Sequence, residues 1–294
     1  MGKRTGTKLA RPWKHMPIAT SIVVVIVGCT VLALVTLKLT TLSTHRPKAQ
    51  VQLVARSILV KIAKPTVQAL VEAETNPPPI GYPQPMGIQE LHGVKESSSY
   101  TKDNRPVVIF VCVEYDPYCS AEQWPLTIAL SYFGNFKRLA YTSSSKQIVF
   151  GGTVGPSFYG TSYKSQYIVF KGVEEESNQL LANRQYLPLA QITPMESLLM
   201  KRLDIPPGLS KGEAASVNFV PFLDIANRYI LTGSTFSPSL LHDLSFSQIS
   251  QEVVDPTTPL GYAILIGAAR IVNAICSLTN EKPADVCYAA QVDG

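Results

Sequence analysis

The stretch PVVIFVCVEYDPYCSAEQWPLTIALSYFGNF, residues 106–136, decides the fold. Val107 to Val113 is an unbroken apolar run rich in β-branched residues, the pattern of a strand buried on both faces of a sheet. A helix start follows it. Asp116 is a good cap, Pro117 suits the first helical position because its missing N–H would be unpaired there anyway, and Trp124, Leu126, Ile128, Leu130 and Phe133 supply an apolar surface. Cys119 then falls in the first turn, where the positive end of a helix favours a thiolate. Strand, short loop and helix in this order indicate an α/β architecture.

Upstream of this stretch the chain changes character. Ile18 to Leu37 (IATSIVVVIVGCTVLALVTL) is apolar or small throughout, and about 20 residues at the helical rise cross a bilayer's hydrocarbon core. A cleaved signal would have a shorter apolar region and a small-x-small site after it, and KLTTLSTHRPKAQ offers none, so an uncleaved signal-anchor is expected. Lys3, Arg4, Lys8, Arg11 and Lys14 precede the span; Lys38, Arg46 and Lys48 follow it. The positive-inside rule therefore assigns residues 1–17 to the cytoplasm and the bulk of the chain to the outer face of the cell membrane. Taking those five basic residues from the total of 26 leaves 21, against 21 acidic residues. The remaining chain is neutral, and nucleic acid is not an expected partner. Residues 38–88 read as a juxtamembrane segment with helical spacing interrupted at Pro65, a solvated helix packed on the domain rather than one touching lipid, then the proline-rich linker NPPPIGYPQPMG. A domain spanning 89–294 follows, and 46% hydrophobic residues are enough to give it a core.

The junction at Asp116-Pro117-Tyr118-Cys119 resembles the Cys-x-x-Cys site of the thioredoxin superfamily in degenerate form, with Asp where the attacking cysteine stands and only the inner cysteine kept. Val220 to Gly233 (VPFLDIANRYILTG) resembles that superfamily's cis-proline strand and the hairpin after it, with Pro221 as the cis-proline, Asn227-Arg228 as the turn and Tyr229 to Leu231 as the returning strand. The chain is most similar to an uncharacterised group of membrane-anchored thioredoxin-like proteins catalogued as a domain of unknown function. The resemblance covers about Gln89 to Cys287. It implies a thioredoxin-like fold with a mixed insertion at about residues 139–216, between the first helix and the cis-proline strand, and a binding site built from Asp116, Pro117, Tyr118, Val220 and Pro221.

Within the interval between these landmarks, SFYGTSYKSQYIVFKGVEEE alternates like a hairpin or edge strands, with Tyr163, Tyr167 and Val169 on one face, as core packing or as a peptide groove. Thr193-Pro194-Met195-Glu196 has the pattern of a capping box opening a helix towards Leu203. Ser245 to Val253 and Pro259 to Leu278 read as helices. Arg270 and Asn273 make the second a buried helix rather than a span.

Each of the five cysteines has its own expected state. Cys29 lies in the span. Cys276 and Cys287 flank a polar, proline-bearing loop and are expected to form a disulfide on an oxidising face. Cys112, in the apolar strand, is expected as a buried free thiol. Cys119 is then the one chemical cysteine, catalytic only in a monothiol enzyme. Glu114 and Asp224 are carboxylates that strand alignment could bring to the site. His15, His45, His92 and His242 show no paired spacing, Gly151 to Gly155 reads as a turn, and neither a metal nor a cofactor is expected. Two functions remain: a module holding an extended polypeptide or a protein partner, or a thiol-disulfide oxidoreductase or monothiol enzyme in which Cys119 reacts alone or with Cys112 after a rearrangement. An active dithiol enzyme is not expected, because a carboxylate cannot exchange with a disulfide.

Overall fold

The computed structural model of the chain describes residues 58–59, 64–82, 91–94, 99–203 and 219–290. The expected tail and membrane span, with Cys29, His15 and His45, lie outside the described residues.

The strands in chain order are β1 (Ile58–Leu59), β2 (His92–Gly93), β3 (Thr101–Lys102), β4 (Arg105–Cys112), β5 (Gly134–Lys137), β6 (Ala140–Ser143), β7 (Val154–Ser157), β8 (Ser162–Ser165), β9 (Val169–Glu174), β10 (Glu176–Leu180), β11 (Tyr186–Pro188), β12 (Phe222–Ile225) and β13 (Tyr229–Thr232). The helices are α1 (Val67–Thr75), α2 (Pro117–Phe133), α3 (Pro194–Leu203), α4 (Phe246–Glu252), α5 (Pro259–Leu278) and α6 (Ala284–Ala290). The central sheet is mixed. β4 is its middle strand, with β12 antiparallel on one side and β9 parallel on the other; β13 continues the sheet beyond β12, and β2 lies beyond β13.

The alternation of side chains along β4 divides the core in two. Val108, Phe110 and Cys112 face one layer, packed with Trp124, Leu126 and Leu130 of α2 and with Ile264, Ala268 and Ile271 of α5. Val107, Ile109 and Val111 face the other, where Leu199, Met200 and Leu203 of α3 cover them. This is a helix–sheet–helix sandwich. The apolar run that predicts a doubly buried strand reflects this: every residue from Pro106 to Val113 is buried. The helix starts are where the cap residues are. Asp116 Oδ1 accepts the Tyr118 N–H at 2.7 Å, Ser245 and Gln248 form a capping box, and Thr193 and Glu196 bond reciprocally at the head of α3. Among the described residues one helix, α5, is long and apolar enough to cross a membrane, and it is buried in the core instead.

Several expectations need correction. The interval 139–216 is not an insertion beside the fold, because it supplies β9, which runs parallel to β4 over six paired positions, and α3, which covers one face of the sheet. β8 and β9 do not form a hairpin; β8 pairs with β5 and β9 with β4. Tyr163 points inward among Phe136 and Phe170, with its hydroxyl donating to the Leu130 carbonyl, so it lines no peptide groove. The folded unit also begins upstream of Gln89. Leu70 and Ala73 of α1 are buried in the main core, α1 packs on α5, and the Tyr132 hydroxyl donates to the Pro65 carbonyl. The turn between β12 and β13 is centred on Ala226 and Asn227, both in the left-handed region, rather than on Asn227-Arg228.

Candidate functional site

The site lies where β4 ends and α2 begins. Asp116 caps the helix from a carboxylate whose pKa burial raises, against the pull of the Tyr118 and Cys119 amides. Pro117 is buried and Tyr118 is exposed. Cys119, one turn into α2, folds back over the strand end, and the Val113 N–H points at its sulfur at 3.3 Å.

Cys112 is not a free thiol. It is bonded to Cys119, with the two Cα atoms 5.8 Å apart, well inside the span a disulfide can bridge. Cys112 shares a face of β4 with Val108 and Phe110, so its side chain points at α2, and the connection from Val113 to Asp116 is short enough to set the first helical turn directly above it. Both cysteines are buried, at 0% and 1% exposure, so no thiolate or open sulfur faces solvent. Cys276 and Cys287 are likewise bonded, tying the end of α5 to α6.

Beside the first disulfide sits a pair of buried acids. In the β4–β9 register Cys112 lies opposite Glu174, and Glu114 follows two positions after Cys112. Glu174 accepts from Gln123 Nε2 of α2 at 2.7 Å, from the Phe158 N–H at 2.7 Å and from the Ser157 hydroxyl at 2.8 Å. Glu114 lies against it, with Oε2 buried and otherwise unpartnered. Burial first, and then the charge of Glu174, push the Glu114 carboxyl up to about 8, and a protonated Glu114 donates to Glu174. Burial also raises Glu174 itself. A third acid, Glu122, stands on α2. It accepts from the Thr235 N–H and hydroxyl, both at 2.8 Å, and burial pushes it up to about 8. Near neutral pH Glu114 therefore keeps a carboxylic-acid proton, two positions along the chain from Cys112.

Across the strand ends, Val220-Pro221 has a cis peptide bond. Phe222 pairs with Val111, so Pro221 follows alongside Cys112. A cavity of about 380 Å³ opens here, lined by Val113, Tyr115, Val220, Pro188, Glu175 and Glu176, with Ala190. Tyr115 is stacked on Tyr186 with ring centroids 4.0 Å apart, which fixes one wall. Of the expected site residues, Val220 lines this cavity, Pro221 follows it immediately ahead of β12, and Asp116, Pro117 and Tyr118 stand at the adjacent helix start without lining it. Asp224 does not reach the site. It pairs with Ile109 further down β4, and its Oδ1 accepts the Asn227 N–H of the hairpin turn. Sequence reasoning missed Glu122, Gln123 and Glu174. Their signal was polar residues inside an otherwise apolar helix and at the end of a strand, where burial demands a partner.

The family described as Domain of unknown function (DUF929) matches residues 94–277, which contain β4, α2, β9, β12 and most of α5. The chain belongs to this family. The matched span includes Cys112 and Cys119, the acid pair and the cis-proline strand. No curated protein and no solved structure matches the chain.

Proposed function

We propose that the chain is a membrane-anchored, extracytoplasmic thioredoxin-like protein whose degenerate redox site serves as a binding site for extended polypeptide. The thioredoxin reading is supported by the juxtaposition of its two landmarks: the strand–helix junction at Asp116 to Cys119 and the cis-proline strand lie on neighbouring strands of one sheet. Anchorage is supported by the apolar run Ile18 to Leu37 and its basic flank. The observation that carries the binding reading is the cavity beside Val220. It offers apolar wall from Val113, Val220 and Pro188, a fixed tyrosine, and the carboxylates of Glu175 and Glu176, while both sulfurs nearby are paired and covered. Such a groove suits an extended segment with a small apolar and a basic side chain.

The test is binding of labelled peptide libraries to the full-length protein in detergent micelles. Peptides carrying a basic residue should be selected, and Val220→Glu should weaken them by about tenfold or more, since about 1.4 kcal/mol is a factor of ten. Peptides that bind wild type and Val220→Glu equally would remove the groove from consideration.

A second reading rests on the Cys112–Cys119 bond and the neighbouring acids. In it, an external dithiol's thiolate attacks Cys119, Cys112 leaves and takes a proton from Glu114, and the dithiol's second thiol completes a two-electron reduction of the bond. Turnover of a disulfide substrate by wild type, abolished by Cys119→Ser, would establish this reading in place of the first.

A further inference from the structure

We infer that a second cavity, remote from the cis-proline groove, is a binding site for a phosphate-bearing anion. This cavity of about 690 Å³ lies at the C-terminal end of α2, and three lysines from three separate segments line it: Lys64 ahead of α1, Lys137 on β5 and Lys164 on β8. Among the described residues, no aspartate or glutamate lines it.

The charges are arranged where a fold without an occupant would not put them. In the β5–β8 ladder Asn135 lies opposite Lys164 and Lys137 opposite Ser162. Lys137 and Lys164 are therefore diagonal neighbours on the outward face, within about 7–8 Å at the backbone. Like charges at neighbouring positions of a ladder repel, and nothing among the described residues offsets them: neither forms an ion pair there. Lys64 extends over the Tyr132 ring at 4.5 Å, which holds a third ammonium at the same opening.

The end of α2 does not account for these cations. A helix C-terminus carries about half a negative charge, against three full positive ones. Two of its last four carbonyls already accept hydroxyls: Leu130 O from Tyr163 and Phe133 O from Ser165. The Asn135 and Gln166 amides at the rim add neutral donors. Three ammonium groups with neutral donors and, among the described residues, no carboxylate make a receptor for a compact phosphate group, supplied either by a free phosphate ester or by a lipid headgroup.

The experiment uses the full-length protein in zwitterionic detergent micelles, titrated calorimetrically at low ionic strength with inorganic pyrophosphate and, separately, with short-chain phosphatidylglycerol. Wild type should bind at least one of the two, with affinity that falls as salt is added. The triple variant Lys64→Gln, Lys137→Gln, Lys164→Gln should lose about tenfold or more of that affinity, as expected when several ammonium–phosphate contacts are removed. The control Lys102→Gln, Lys146→Gln, outside the cavity, should retain it, and all the lysines replaced are on the surface, so an unchanged circular dichroism spectrum certifies the fold. Binding of pyrophosphate alone assigns a free phosphate ester as the source, and binding of phosphatidylglycerol alone assigns a lipid headgroup; either outcome upholds the site. Absence of binding to both probes, or equal binding by the triple variant, overturns it.

Discussion

At Asp116 one carboxylate ends the loop and starts the helix. Its Oδ1 holds the Tyr118 N–H at 2.7 Å, and this bond fixes the turn that carries Cys119 back over β4. Replacing it with alanine should lower stability by about 0.5–2 kcal/mol, the usual cost of losing a cap, measurable as a shift of the urea midpoint at constant slope. Asp116→Cys tests the site's chemistry. It places a thiol beside an existing disulfide, and exchange with the Cys112–Cys119 bond should make that bond reducible by external dithiols. A bond that stays inert in the folded variant would mark the disulfide as purely structural. Asp116 and Pro117 were legible from residue type alone. The partner of Cys119 was not, although the information was present: with a period of two along β4, Cys112 shares a face with Val108 and Phe110, and that face meets α2. What the sequence did not disclose was how closely α2 packs over the end of β4, 5.8 Å between the two Cα atoms, which decides whether two sulfurs on facing elements meet.

At the scale of elements, close approach is set by small residues. β7 packs directly on α2, and a Cβ built on Gly155 would lie 2.5 Å from the Ser120 carbonyl oxygen and 2.8 Å from its Cα. Both contacts are backbone, so nothing can swing aside. Gly155→Ala should cost about 1–3 kcal/mol or more by overpacking, and should weaken the Trp124 indole bond to the Val154 carbonyl at 2.9 Å, seen as a change in the buried tryptophan's near-ultraviolet dichroism. The Cys276–Cys287 bond works at the same scale. α6 packs on both α1 and α5, and the bond closes the loop between α5 and α6. Cys276→Ala with Cys287→Ala should lower stability by roughly 2–4 kcal/mol, and hydrogen exchange should rise first in α6. Helix and strand identities were readable here because periodicity and caps are local. Which strands pair was not, since β9 and β4 are joined through more than 50 residues and no local pattern distinguishes a parallel neighbour from an edge hairpin.

For the molecule as a whole, the buried acids set how stability depends on pH. Glu114 and Glu122 are both pushed up to about 8, and burial also raises Glu174, Asp116 and Glu74. A carboxyl that titrates near 4.5 in the unfolded chain and near 8 in the fold leaves the native state holding more protons than the unfolded state between those values. The slope of unfolding free energy with pH is then negative. Stability is full below about 4.5 and is lost progressively as pH rises through about 8, by on the order of a few kcal/mol for each such group. Full-length protein in micelles should therefore unfold at lower urea at pH 8.5 than at pH 5, with ionic strength held constant. Glu122→Gln removes one titrating proton while keeping an oxygen for the Thr235 N–H and hydroxyl, and it should flatten the profile in part; Glu114→Gln should flatten it further. The two changes should add, because Glu122 lies with Thr235 while Glu114 lies with Glu174 and Ser157, and the two groups share no hydrogen-bond partner. A midpoint that stays level or climbs between pH 5 and 8.5 would mean that these carboxyls are already ionised in the fold, and the proton placed beside the Cys112–Cys119 bond would go with them.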